Sequence, residues 1–334
     1  MAAVTTIVVC GLGGTIAMTA TPGGGAAPAL SAGDLVSAVP GAAALGLDLA
    51  LVDVANVPSA SLRPADIVAL SRLINDLLAG GADGVVVTQG TDTLEECAYL
   101  LDLLHDRPEP VVVTGSMRPA LVAGADGPAN LLAALTVAAD PGARGRGVLV
   151  AFADDIHTAA RVRKTHTTSV AAFVSATGGP VGQVVEGRAR FVGAGGHRVV
   201  LPRPAGDLLP RVPLVVAALG ADAPDRDLAA DGLVVAALGA GHLPHWWAEP
   251  LAELADRMPV VLASRTLAGP VLTGTYSYPG SERDLIGRAL IPAGFLDPAK
   301  ARILLLAVLA GGGDRQRVAA AFAEAAGVAA PAGR

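Results

Sequence analysis

The chain has 334 residues, of which 52% are hydrophobic, 16% charged and 3% aromatic, and its net charge is −6. That length allows two domains, since one core rarely grows past about 250–300 residues, and so few aromatics require a core of Ala, Val and Leu. The mild, dispersed charge leaves no basic footprint for nucleic acid, and no apolar run reaches the roughly 20 residues of a membrane span.

The first predicted element is a buried strand, Thr5–Val9, ending in a glycine turn. The opening MAAVTTIVVCGLGG lacks the basic n-region and cleavage site of a signal peptide, so a cytoplasmic protein is expected. A helix at Ser31–Val39, capped by Ser31, leads to a strand at Leu49–Val54 and a helix at Pro64–Leu78 with Pro64 in its first turn. Strands at Gly84–Thr88, Pro110–Thr114 and Gly147–Phe152 then alternate with helices at Asp92–Leu104 and Gly127–Ala138. This alternation predicts an α/β domain over residues 1–188, with a mostly parallel sheet flanked by helices. Gly, Arg and Pro dissolve the pattern, so a linker is expected at 189–212. A second, smaller α/β domain is expected over 213–334, from Leu214–Ala218, Gly232–Leu238, Pro244–Arg257, Val260–Ser264 and Ala299–Ala310. Cys10 and Cys97 read as buried free thiols and not as a disulfide framework.

Sheets of this kind bind ligands at the carboxyl ends of their strands, and four strand ends here carry polar residues. After the first strand, VVCGLGGTIA presents Thr15 on a glycine turn. The dinucleotide fingerprint fails there, because Ile16 stands where its third glycine belongs, and the second strand is read as ending without the acidic residue that a ribose would need. Thr15 reads equally as a reactive hydroxyl or as a cap of the next segment. In VVVTQGTDTLEE a buried strand delivers Thr91 and Asp92 to a helix start, where free N–H groups suit an anion or a developing oxyanion. The structural alternative is a capping box, with Asp92 as cap and Glu95 or Glu96 closing it. A third strand ends in VVVTGSMRP, whose Ser116 can line the same pocket, and the Asp126 to Asn130 group beyond it braces the loop. The fourth segment, RVRKTHTTS, holds Lys164. All basic residues except Lys164 and Lys300 are Arg. Arg stays ionised, whereas a desolvated Lys can release its proton, so a retained lysine points to acid–base work, the alternative being an exposed basic turn. Lys300, at a helix start, reads as a surface residue. His166 completes no Ser-His-Asp hydrolase, since no G-x-S-x-G elbow occurs, and the histidines show no metal-ligand spacing.

Taken together, these segments resemble the bacterial L-asparaginase/glutaminase family. GGTIA at 13–17, TQGTDTLEE at 88–96, GSMRP at 115–119, ADGPAN at 125–130, KTHT at 164–167 and LDPAKARILL at 296–305 match its blocks in order, over essentially the whole chain. The resemblance implies a smaller domain of flavodoxin-like type and hydrolysis of a side-chain amide through a threonyl acyl-enzyme. Thr15 would be the primary nucleophile, with Thr91, Asp92 and Lys164 as a second group; either threonine is a candidate for the first attack. It also implies an oxyanion site at the Gly90–Asp92 turn and a substrate site lined by Ser59, Ala60, Gly90, Thr91, Asp92 and Ser116. Glu282 would be contributed by a neighbouring subunit, hence a homotetramer of intimate dimers, with no metal or organic cofactor.

Three positions depart from the family. The loop MTATPGGGAAPALS lacks the tyrosine usual near the nucleophile, leaving Tyr276 or Tyr278 as substitutes. Ala60 stands where Gln is common after Ser59, and Gly239-Ala240-Gly241-His242 replaces a motif that usually offers Asn. Retained chemistry with altered selectivity is expected. The alternatives are an amidase preferring glutamine or a D-amide, and a catalytically silent protein that binds asparagine or aspartate.

Overall fold

The computed structural model describes residues 4–20, 25–120, 122–206 and 209–327, and the chain forms two compact units, Met1–Gly196 and His197–Arg334. The strands of the first unit are β1 (Thr6–Gly11), β2 (Met18–Ala20), β3 (Ala26–Pro28), β4 (Asp48–Asp53), β5 (Gly84–Thr88), β6 (Val111–Thr114), β7 (Val148–Phe152), β8 (Asp155–Thr158), β9 (Arg163–Lys164), β10 (Phe173–Val174), β11 (Gly182–Val185) and β12 (Arg188–Phe191). Its helices are α1 (Ala32–Ser37), α2 (Pro64–Ala79), α3 (Leu94–Leu104) and α4 (Gly127–Ala139).

Eight of these strands form one sheet in the order β12-β11-β8-β7-β6-β5-β1-β4. β7, β6, β5, β1 and β4 are mutually parallel, with α1 packed on α4 and α2 on α3. β5 to β7 are Val- and Leu-rich and fully buried, as strands covered on both faces must be. The chain steps from β1 outward to β4, then returns to the other side of β1 as β5. The order therefore reverses between β1 and β5, and a crevice opens at their carboxyl ends, the usual ligand position in open α/β sheets.

β8, β11 and β12 extend the sheet antiparallel. They were not expected from the strand–helix alternation, because β8 is short and mostly polar in sequence, and the half-exposed hairpin strands β11 and β12 leave little apolar signal. β12 places Arg188–Phe191, most of which was assigned to the connecting segment, in the first sheet. The division between the two units falls at 196–197, within the segment 189–212. The expected loop of residues 18–31 begins and ends as a β2–β3 hairpin; its residues 21–24 lie outside the described residues.

In the second unit β13 (Leu214–Val216), β14 (Leu233–Ala237), β15 (Val260–Ser264) and β16 (Ile291–Pro292) form an all-parallel sheet in chain order. Its helices are α5 (Ala248–Arg257), α6 (Glu282–Gly287), α7 (Pro298–Ala310) and α8 (Arg315–Ala325), and Trp247 is buried in its core. The expectation of a surface lysine at 300 is corrected. Lys300 is fully buried, and its Nζ lies 3.0 Å from Asp297 Oδ2. Asp297 also caps α7 by accepting from Ala299 N and Lys300 N, so the lysine completes a buried cap. Among the described residues, no helix is long and apolar enough to cross a membrane.

Candidate active site

At the reversal point two glycine turns touch. The turn after β1 has Gly13 at φ 90° and Gly14 at φ 85°, a conformation that L side chains rarely adopt. A Cβ on Gly14 would lie 2.0 Å from Gly90 N, in the turn after β5. Only glycine permits that approach, and Leu12 N secures it by donating to Thr88 O at 2.9 Å. Thr15 and Thr91 each follow one of the touching glycines, so the backbone contact brings the two threonines side by side.

Thr91 is buried and Asp92 exposed. Lys164 Nζ donates to Thr91 Oγ1 at 2.9 Å and pairs with Asp92 Oδ1 at 2.7 Å. The lysine is carried by the β9–β10 hairpin, where it pairs with Phe173. Its backbone N–H donates to Glu95 Oε2, which fixes the hairpin against the start of α3. The alternative reading of Asp92, a capping box, is absent: α3 begins at Leu94 with Thr93 as its cap residue, and Glu95 holds Lys164 instead. His157 Nδ1 lies 2.9 Å from Ser175 Oγ and ties β8 to the segment just after β10. Burial lowers the His157 pKa, favouring its neutral form.

Ser59 is buried against the same turn. Its Oγ accepts from Asp92 N at 3.2 Å, and its carbonyl accepts from Thr93 Oγ1 at 2.9 Å. Asp92 N, one of the expected oxyanion donors, is thus already engaged. A Cβ on Gly90 would meet Ser59 Oγ at 2.7 Å, so this glycine is required by packing as well. Ala60 is exposed. Thr15 opens a single 3-10 turn, Thr15–Ala17, partly exposed, and among the described residues its hydroxyl has no hydrogen-bond partner.

Other predicted positions have different surroundings. Ser116 is buried and its hydroxyl donates to Arg118 O at 2.8 Å, inside its own turn. Asp126 accepts from Met117 N and Arg118 N, and Asn130 donates to Gly115 O, which is the bracing expected of that group. An acid does close the second strand: Asp53 Oδ1 accepts from Ala32 N at 2.8 Å, a tie to α1 that the sequence reading overlooked. His166 caps its turn by accepting from Thr168 N and Ser169 N. Cys10 is pushed up to about 12 by burial, and burial raises Cys97 as well, so both thiols stay protonated and unreactive. Glu282 and the two candidate tyrosines lie in the second unit. Glu282 is fully buried beside His242, and Tyr276 and Tyr278 pack against that imidazole. The His242 contact was missed, because only the fold brings residues 242 and 282 together.

The chemical capacity of the first unit is a lysine shared between a hydroxyl and a carboxylate, beside a second hydroxyl on a glycine turn. Such an arrangement suits nucleophilic attack on an acyl carbon.

Comparison with known proteins places this geometry in a family. The family model described as asparaginase, N-terminal, matches residues 6–194, and that of the glutaminase/asparaginase C-terminal domain matches 215–322. A protein of Deinococcus radiodurans named probable L-asparaginase is 44% identical over 280 residues, covering 80% of this chain and 84% of that one. A glutaminase-asparaginase of Pseudomonas aeruginosa is 33% identical over 316 residues, covering 89% of this chain and 84% of that one. The crystal structure of a probable cytoplasmic L-asparaginase from Campylobacter jejuni superposes with a TM-score of 0.85 at 32% identity, over 95% of this chain and 99% of that one.

Proposed function

The chain belongs to the asparaginase family, and from that premise we propose that it is an L-asparaginase, hydrolysing the side-chain amide of L-asparagine to L-aspartate and ammonia. The observation that carries the reading is Lys164 Nζ standing between Thr91 Oγ1 and Asp92 Oδ1, beside the Thr15 turn.

In the proposed reaction Thr15 Oγ attacks the amide carbon, and the hydroxyl proton passes to the Thr91–Lys164 pair. The carbonyl oxygen becomes an oxyanion facing the N–H groups of Gly90 and Thr91. Collapse of the tetrahedral adduct breaks the C–N bond, and the returning proton leaves with ammonia. Water then attacks the threonyl ester, giving up a proton to the Lys164-bound Thr91, and aspartate departs as Thr15 is restored. Ser59 and Asp92 hold the α-amino and α-carboxylate end, while Gly90 and Thr91 line the reacting end. Ala60 contributes no side-chain contact, and Ser116 supports its turn from within. Glu282 serves the α-amino group from a neighbouring subunit, so a dimer is the smallest active form and a homotetramer the expected one. No metal or organic cofactor takes part. A cytoplasmic setting is supported by the two buried free thiols and by the likeness to the Campylobacter jejuni protein.

One observation favours a second assignment, in which Thr91 attacks first: its hydroxyl is the one bonded to Lys164. Acid quenching during turnover, followed by peptide mass spectrometry, locates the ester on the Thr15 or the Thr91 peptide and decides between them. Ammonia release from L-asparagine, L-glutamine and D-asparagine tests the activity itself. Hydrolysis of L-asparagine with the highest kcat/KM is expected. Binding of L-aspartate without turnover of any amide would sink the reading.

A further inference from the structure

In the second unit a buried carboxylate faces an imidazole, with Glu282 Oε2 3.3 Å from His242 Nε2. Glu282 Oε1 accepts hydrogen bonds from Thr275 N and Tyr276 N, each at 2.7 Å. Burial favours the neutral carboxyl, but these two N–H groups and the imidazole outweigh it and hold Glu282 below the ordinary carboxylate range. Oε2 and Nε2 are both buried, and neither makes a regular hydrogen bond. A buried carboxylate charge calls for a counter-charge, and His242 is the cationic candidate beside it.

The rest of the imidazole is partly exposed, at 23%, and the half-exposed rings of Tyr276 and Tyr278 stand edge-on to it, with centroids at 4.9 and 5.5 Å. Nearby ionisable groups are turned to other partners. Asp284 accepts from Gly280 N and pairs with Arg288, and His245 packs edge-on against Trp246.

We propose that the Glu282–His242 pair is a proton-gated recognition element for a primary ammonium, in which the ligand's ammonium and the proton of His242 compete for one buried negative charge. The inference rests on the reading that Glu282 serves the substrate's α-amino end. A protonated imidazole compensates the carboxylate and repels a second cation. A neutral one leaves the carboxylate uncompensated, under an aromatic rim that favours cations. Ligands with an α-amino group therefore bind more tightly once His242 has given up its proton, and ligands without one do not respond.

Calorimetric titration of the intact enzyme with L-aspartate and with succinate, which lacks the amino group, tests this between pH 5.5 and 8. The affinity ratio of L-aspartate to succinate is expected to rise about tenfold over that range. In H242N and H242Q the ratio should follow only the ionisation of the ligands themselves, which is common to all forms and cancels in the comparison. A wild-type ratio no steeper than that of the two variants overturns the gate. E282Q separates the underlying reading: an unchanged ratio at pH 8 means that Glu282 does not serve the ammonium, and both claims fall. A lowered ratio in E282Q beside an unaltered slope in H242N and H242Q overturns the gate alone.

Discussion

The two threonine turns of the first unit share one design and differ in how they are held. Each follows a buried parallel strand, and each glycine preceding its threonine needs the other's lack of a side chain, Gly14 against Gly90. Thr91, however, is buried and bonded to Lys164, which is itself tied to Asp92 and, through its backbone, to Glu95. Thr15 is partly exposed at the start of one 3-10 turn, and its hydroxyl has no partner among the described residues. In the proposed reaction the difference separates two tasks. A proton relay works only if its geometry is fixed before substrate arrives, whereas a nucleophile must be approached by the substrate and carry an acyl group. In the proposed reaction the Thr91 side is held within the first unit before substrate arrives, and the Thr15 side is completed by the substrate.

Removing either side outright should have the largest effect. T15A and K164M are each expected to lower kcat by about 10³-fold or more with an unchanged circular dichroism spectrum. Because Lys164 acts through Thr91, T91A combined with K164M should cost little more than either alone; additive losses in steady-state kinetics would mean that the two act independently. Next comes the contact between the turns. G14A demands a left-handed alanine and a shift of Gly90, so kcat/KM should fall about 100-fold, the usual penalty of a misplacement near 1 Å. S59A keeps both threonines but removes the acceptor for Asp92 N. It should raise KM for L-asparagine about tenfold, the worth of one hydrogen bond to substrate, with kcat changed far less. The smallest effect is expected from S116A, whose hydroxyl is bound within its own turn. Its kcat and KM should stay within about twofold of wild type, with a loss of about 1 kcal/mol in denaturant unfolding. A KM effect in S116A matching that of S59A would show that the third turn reaches the substrate after all.

Much of the site was legible in the sequence because it hangs on strong local signals. The runs at Gly84–Thr88 and Pro110–Thr114 read as buried strands from their β-branched residues and short length, and the polar residues at their ends as turns. Lys164 stood out through composition alone. The capping reading of Asp92 failed because Asp92 and Thr93 are both good caps locally, and the contact with Lys164, 72 residues away, decided between them. Lys300 was misjudged for a related reason: a lysine is exposed by default, and only the packed start of α7 with Asp297 beside it reverses that.

The sequence by itself determined the elements, the parallel sheet and the glycine turns that deliver Thr15 and Thr91, since these follow from hydrophobic period and backbone freedom over a few residues. Tertiary structure alone decided which of those turns touch, which acid holds the backbone of Lys164 and which imidazole faces Glu282. Those contacts join residues tens of positions apart, and no local pattern records a partner chosen by the path of the whole chain.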